Sequence, residues 1–190
     1  NLLTFNEADV VKRMGQLRQA LSAFEAAGYV ERQGVVTHNL ALVYNDLGLA
    51  RRARRLLLQA ADIYRRTGAI GSLSVTLWVL SELAAEAGDL RASRAYVEEA
   101  ITLAEAVGDV RSASYRPLGL GRLALAEHDH ALAIAKLTEA SDILGGHDAD
   151  ALHVSTLTLL ARAHLEAGDA AGALAATGRA TAIHRAHDLA

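Results

Sequence analysis

The sequence predicts an all-α fold, a right-handed α-solenoid of antiparallel helix hairpins, and three observations carry that expectation. First, Gly48, Gly88, His128 and Gly168 stand 40 residues apart, and a second comb of Gly28, Gly68 and Gly108 runs between them at the same spacing. A fixed period of roughly 20–50 residues marks stacked supersecondary units, none of which can bury its apolar face alone. Second, hydrophobic residues make up 52% of the chain while aromatics supply only 4% and proline a single residue. That Ala- and Leu-rich balance favours close-packed helices over sheets. Third, apolar residues recur at three- and four-residue steps: Leu40, Ala41, Tyr44 and Leu47 before Gly48, then Ala53, Leu57, Ala60 and Tyr64 up to Gly68. Such steps place them on one face of a helix.

Taken in order, the elements are a leading helix over 7–28 and four units over 29–68, 69–108, 109–148 and 149–188. Asp9 lies 80 residues before Asp89, with Leu17 on Val97 and Ala20 on Ala100, so the leading helix reads as the second helix of a truncated unit. Each full unit is a helix, a tight turn, a second helix and a glycine stop, the pattern of an αα-hairpin. Asp89, Asp129 and Asp169 directly follow the turn position, where a short acceptor side chain caps free backbone N–H groups. Pro117 falls near the start of the third unit's first helix; its missing N–H predicts a delayed start there. Gly145-Gly146 reads as a helix stop. The array has no composition break, so 1–190 is expected to be one repeat domain. With Asn1 first instead of Met, it reads as a piece of a larger protein.

A net charge of −3 gives no general electrostatic attraction to nucleic acid or to an anionic membrane. With 0 Cys there is neither a disulfide framework nor a thiolate metal site, which fits a reducing compartment. No apolar run approaches the roughly 20 residues of a membrane span, and the first residues lack a basic leader. Cytoplasmic placement is the expectation.

Laid in register, the units give Leu40, Ala41, Tyr44, Ala53, Leu57 and Ala60; Leu80, Ser81, Ala84, Ser93, Val97 and Ala100; Leu120, Gly121, Ala124, Ala133, Leu137 and Ala140; and Leu160, Ala161, His164, Ala173, Thr177 and Ala180. Small residues recur where facing helices approach closely. This pattern resembles the tetratricopeptide repeat in a long, 40-residue form, like repeats of bacterial signalling regulators and of adaptor proteins. The resemblance implies a concave groove that holds a peptide, a protein segment or a small effector. Adaptor members with the long repeat often carry Leu-Gly-Asn in the first helix. The triplets here are Leu40-Ala41-Leu42, Leu80-Ser81-Glu82, Leu120-Gly121-Arg122 and Leu160-Ala161-Arg162, so ligand chemistry does not carry across.

Helical geometry supplies candidates for the groove. Counted back from the turn residue, offsets 13, 10, 9, 6, 3 and 2 fall within an arc of about 120° opposite the core positions. That arc collects His38, Asn39 and Asn45 from the first unit, Trp78 and Glu82 from the second, Tyr115 and Arg122 from the third and Arg162 from the fourth. Aromatic and arginine anchors amid apolar surface are what binding hot spots favour. Arg122 and Arg162, equivalent in successive units, suit a carboxylate or phosphate. Two alternatives stand beside this: a small change of helix phase buries Trp78 in the core, and the two arginines pair with Glu82 or Glu166.

Arg51, Arg52, Arg54 and Arg55 crowd a helix start, where the dipole disfavours cations. They read as a solvated convex face or a secondary patch for an acidic partner. His184 and His187 share a helical face with Asp188 beside them, and His128-Asp129-His130 straddles a turn with His128 in the glycine position. Neither shows a third ligand by spacing, so no metal is expected, and no cofactor motif or nucleophile elbow is present. The expectation is a non-enzymatic scaffold for a protein or peptide ligand, with an effector-sensing segment of a larger regulator as the alternative. Its final helix invites weak self-association through the end of the stack.

Overall fold

The computed structural model describes residues 7–107, 112–145 and 151–188. All its regular structure is helical: α1 Glu7–Ala26, α2 Val30–Asp46, α3 Ala50–Thr67, α4 Ile70–Glu86, α5 Leu90–Val107, α6 Ser112–Ala126, α7 His130–Gly145, α8 Ala151–Glu166 and α9 Ala170–Asp188. None is long and apolar enough to cross a membrane among the described residues. The helices fall into two compact units, residues 1–87 and 88–190.

In the first unit α1 packs on α2, α2 on α3 and α3 on α4. Its core is the predicted one: Leu40, Ala41, Tyr44, Ala53, Leu57, Ala60 and Tyr64 are all buried. A Cβ on Gly34 would stand 2.9 Å from the Tyr64 ring, so the α2–α3 approach depends on a missing side chain. In the second unit α6 pairs with α7 and α8 with α9, with α5 against α6 and α7 against α8. Here Ala133, Leu137, Ala140, Leu157, Leu160 and Ala163 form the centre. The small residue expected at Gly121 is required, because a Cβ there would meet Leu137 Cγ at 2.7 Å. Four register positions depart from the pattern: His164 and Ala180 are half-buried, Leu120 is 37% exposed and Thr177 is exposed, its hydroxyl turned back onto the Ala173 carbonyl.

The turns explain the comb. Gly28, Gly48, Gly68, Gly88 and Gly168 all have φ between 71° and 81°, the left-handed region that glycine enters without steric cost. At Gly48 the backbone closes a Schellman motif, Leu49 N donating to Tyr44 O and Gly48 N to Asn45 O, each at 2.8 Å. His128 adopts the same geometry with φ 60°, Asp129 N donating to Ala124 O at 2.8 Å. Gly108 and Gly146 lie outside the described residues.

The expected caps are present. Oδ1 of Asp89, Asp129 and Asp169 accepts from the backbone N–H of Ala92, Leu132 and Gly172 at 3.0, 3.0 and 2.9 Å. Pro117 departs from the sequence reading in one respect: α6 spans Ser112–Ala126, so the proline lies inside the helix and not at its start. Its side chain is buried, and as the sixth residue of α6 it leaves the Ala113 carbonyl without an i+4 backbone donor.

Candidate functional site

Each unit presents its share of the candidate residues from first helices of the hairpins, and the burial of those helices differs from that of the second helices. Along α2, no residue from Gln33 to Asn45 is exposed, whereas α3 alternates buried and exposed positions throughout. The core stripe of α2 is Val36, Leu40, Ala41, Val43 and Tyr44. Val35, His38, Asn39, Leu42 and Asn45 occupy the remaining arc and are half-buried. This partly shielded strip mixes aliphatic surface with imidazole and amide groups able to orient a ligand.

His38 is fixed across the unit. Its Nδ1 lies 3.0 Å from Thr76 Oγ1, and Thr76 directs its hydroxyl to the Ser72 carbonyl at 2.8 Å. A hydroxyl has one proton, so His38 must donate from Nδ1, which leaves Nε2 as an acceptor in the neutral ring. Burial pushes the imidazole below its ordinary value of 6.5 and keeps it neutral near pH 7.

On α4, Val75 is 55% exposed, Glu82 is exposed and Trp78 retains only 9% of its surface. The indole therefore packs as the core alternative has it, not as an open anchor. The offset count could not distinguish the two, since one step of about 100° separates them.

In the second unit Tyr115 and Arg122 are half-buried on α6. Leu118 and Leu125, counted on the same arc, are buried at 2% and 4%. On α8, Ser155, Thr158 and Arg162 are exposed, Leu159 is half-buried and Leu165 is 63% exposed. Arg162 Nε donates to Glu166 Oε1 at 2.6 Å, the pairing foreseen as the alternative for this residue. An exposed i,i+4 pair contributes about 0.3–0.5 kcal/mol, which a ligand carboxylate can replace.

The basic helix start also acquires a structural role. Arg51, Arg52, Arg54 and Arg55 are all exposed. The Arg52 guanidinium stands over the Tyr44 ring at 5.8 Å, and Arg18 donates to the Tyr44 hydroxyl at 2.8 Å. One phenol thus holds cations from α1 and α3. Behind Arg55, a recess of about 630 Å³ opens among Leu21, Glu25, Gln33, Thr37, Gln59 and Asp62. Neither Trp78 nor Arg122 lines it.

Sequence spacing missed two arrangements. His128, His130 and Glu166 bring ligating atoms within 4.8 Å of one another; the clue was the period itself, which stacks the turn of one hairpin near that of the next. Ser141 Oγ lies 3.1 Å from both His153 Nε2 and Arg179 Nη2. With Ser141 at 0% and His153 at 6% exposure, this is a buried polar link between α7 and α8, which the exposed Arg179 of α9 joins. His184 is exposed, and the side chains of His187 and Asp188 lie outside the described residues.

This architecture defines a class. Residues 33–106 match the tetratricopeptide repeat family model, and consecutive helix pairs with small residues at their crossings and left-handed turn closures extend the same construction through the described chain. The described residues form a helical repeat fold, and residues 33–106 of it are similar to the tetratricopeptide repeat superfamily. Among solved structures, BtubC (BKLC) from P. vanneervenii is similar with a TM-score of 0.64 at 21% identity, covering 95% of this chain and 78% of that one. A putative kinesin light chain from Podosopora anserina with nearly identical TPR-like repeats gives 0.61 at 18% identity, covering 96% and 90%. MamA gives 0.51 at 15% identity over 99% of this chain and 100% of that one. No curated protein sequence matches the chain significantly.

Proposed function

We propose that the protein is a binding scaffold that holds a peptide or protein segment against the first helices of its hairpins. The observation that carries this reading is the burial pattern of α2, half-shielded without an exposed position from Gln33 to Asn45. His38, Asn39, Asn45 and Glu82 are the contact residues of the first unit, and Tyr115, Arg122 and Arg162 those of the second. Amide side chains suit a ligand's backbone, and arginines suit its acidic groups. Trp78 supports the strip from beneath. Proteins of this superfamily are commonly non-enzymatic interaction scaffolds, which agrees with the mixed character of the strip. The natural setting is proposed to be the cytoplasm.

The test is capture of partners from source lysate with the whole chain, comparing wild type with Asn39→Ala/Asn45→Ala and Arg162→Ala, and with Arg51→Ala/Arg54→Ala as the control. Specific partners are expected to be lost with the first two and retained with the control. Retention in all of them overturns the assignment.

A second reading has one observation in its favour. The recess of about 630 Å³ among α1, α2 and α3 falls in the size range of small-molecule sites, about 300–1,000 Å³, and would serve the effector-sensing alternative. Among its lining residues Arg66 is paired with Asp62 at 3.1 Å and Glu25 is acidic, which leaves Arg55 as the cation that would meet an anionic effector. Saturable binding of a small anion that is abolished by Gln59→Trp, with peptide capture unaffected, would establish it.

A further inference from the structure

The turn between α6 and α7 breaks the repeat's own rule. Gly48, Gly88 and Gly168 hold the equivalent left-handed position, yet His128 occupies it with φ 60°. A side chain there is strained, and this one extends from the turn toward two other potential ligands. His130, the first residue of α7, has an Nδ1 that is buried and makes no hydrogen bond. A carboxylate oxygen, Glu166 Oε2 at the end of α8, lies 3.6 Å away.

That distance is too long for a hydrogen bond but close to the separation of two ligands on one ion. With metal–nitrogen and metal–oxygen bonds of about 2.0–2.2 Å, tetrahedral neighbours stand about 3.3–3.5 Å apart. The two imidazoles and the carboxylate already lie within 4.8 Å of one another. His128 is exposed, free to close the remaining gap.

The surroundings suit ligation. Arg162 Nε holds Glu166 Oε1 at 2.6 Å, so one carboxylate oxygen is oriented by a hydrogen bond while the other faces His130, as outer-shell partners do for metal ligands. Asp129, between the two histidines, is committed to the Leu132 N–H and does not compete. Two nitrogens with one carboxylate select a borderline transition metal over calcium or magnesium.

We propose that His128, His130 and Glu166 bind a divalent transition ion of the zinc class. The ion ties the α6–α7 turn to the end of α8, cross-linking successive hairpins of the second unit. Water completes the coordination.

The test is calorimetric titration of the metal-free whole chain with Zn²⁺, with thermal unfolding measured with and without zinc. Wild type is expected to bind one ion and to unfold at a higher temperature when loaded. His128→Gly, which installs the residue of the sibling turns and keeps the fold, is expected to weaken zinc binding by more than about tenfold and to abolish the thermal shift. Glu166→Gln should do the same, whereas His184→Gln should leave both unchanged. Absence of saturable zinc binding in wild type overturns the site, as does wild-type affinity in both His128→Gly and Glu166→Gln. Loss of binding in His184→Gln alone places the ion on α9 and overturns it equally.

Discussion

The Nδ1 of His38 donates across 3.0 Å to the hydroxyl of Thr76, joining the first helices of two successive hairpins within one unit. The ring is held neutral by burial, and its folded value lies below the ordinary 6.5. The consequence for stability has a definite sign. Between the depressed folded value and 6.5 the unfolded chain binds a proton that the folded chain does not, so stability rises with pH in that window. It is fully present above about 6.5 and is lost on acidification below it, with a slope of at most about 1.4 kcal/mol per pH unit. His38→Asn keeps a donor near Nδ1 and removes the titration. Denaturant unfolding from pH 7.5 to 5 is expected to show a shallower decline in the variant.

His128→Gly is expected to stabilise the metal-free protein by about 1 kcal/mol, because the left-handed position then carries no Cβ. The opposite exchange, Gly48→His, should destabilise by a similar amount. Equilibrium unfolding in a chelator measures both.

Gly121→Ala should cost about 1–3 kcal/mol, since the new Cβ meets Leu137 Cγ at 2.7 Å and the Leu137 backbone nitrogen at 3.3 Å. Gly178→Ala, inside α9 with nothing within 4 Å, should instead stabilise by about 0.5–1 kcal/mol. Opposite signs at two helical glycines separate packing from propensity, and thermal unfolding of the pair checks it.

Much of this architecture is legible from the residues, and for a physical reason. A left-handed turn demands glycine, a helix start rewards aspartate and a close crossing excludes a side chain, so each requirement repeats with the unit. Leu57, Ala60 and Leu137, all at 0% exposure, were placed in that way. Pro117 was placed at the helix start and lies inside the helix because periodicity alone does not fix a helix boundary to within a few residues. The site was less legible. Trp78 and Val79 differ by one helical step, and burial of the former depends on packing that periodicity does not specify. His128, His130 and Glu166 come together only when two turns stack, a relation between repeats that no local motif contains.

Trp78→Ala is expected to destabilise by about 3–5 kcal/mol, as removal of a buried indole does, and wild-type fluorescence should be that of a shielded tryptophan. Loss of binding in this variant would therefore reflect folding, and unfolding measured alongside distinguishes the two. Asp129→Ala should cost about 0.5–2 kcal/mol through the lost cap on α7.

The most direct measurement of the central claim is amide hydrogen exchange of the whole chain with and without a captured partner. Binding at the first-helix faces predicts slowed exchange over 33–45 in α2 and 155–166 in α8, with α3 and α9 unchanged. Protection confined to α3 and α9 would contradict it.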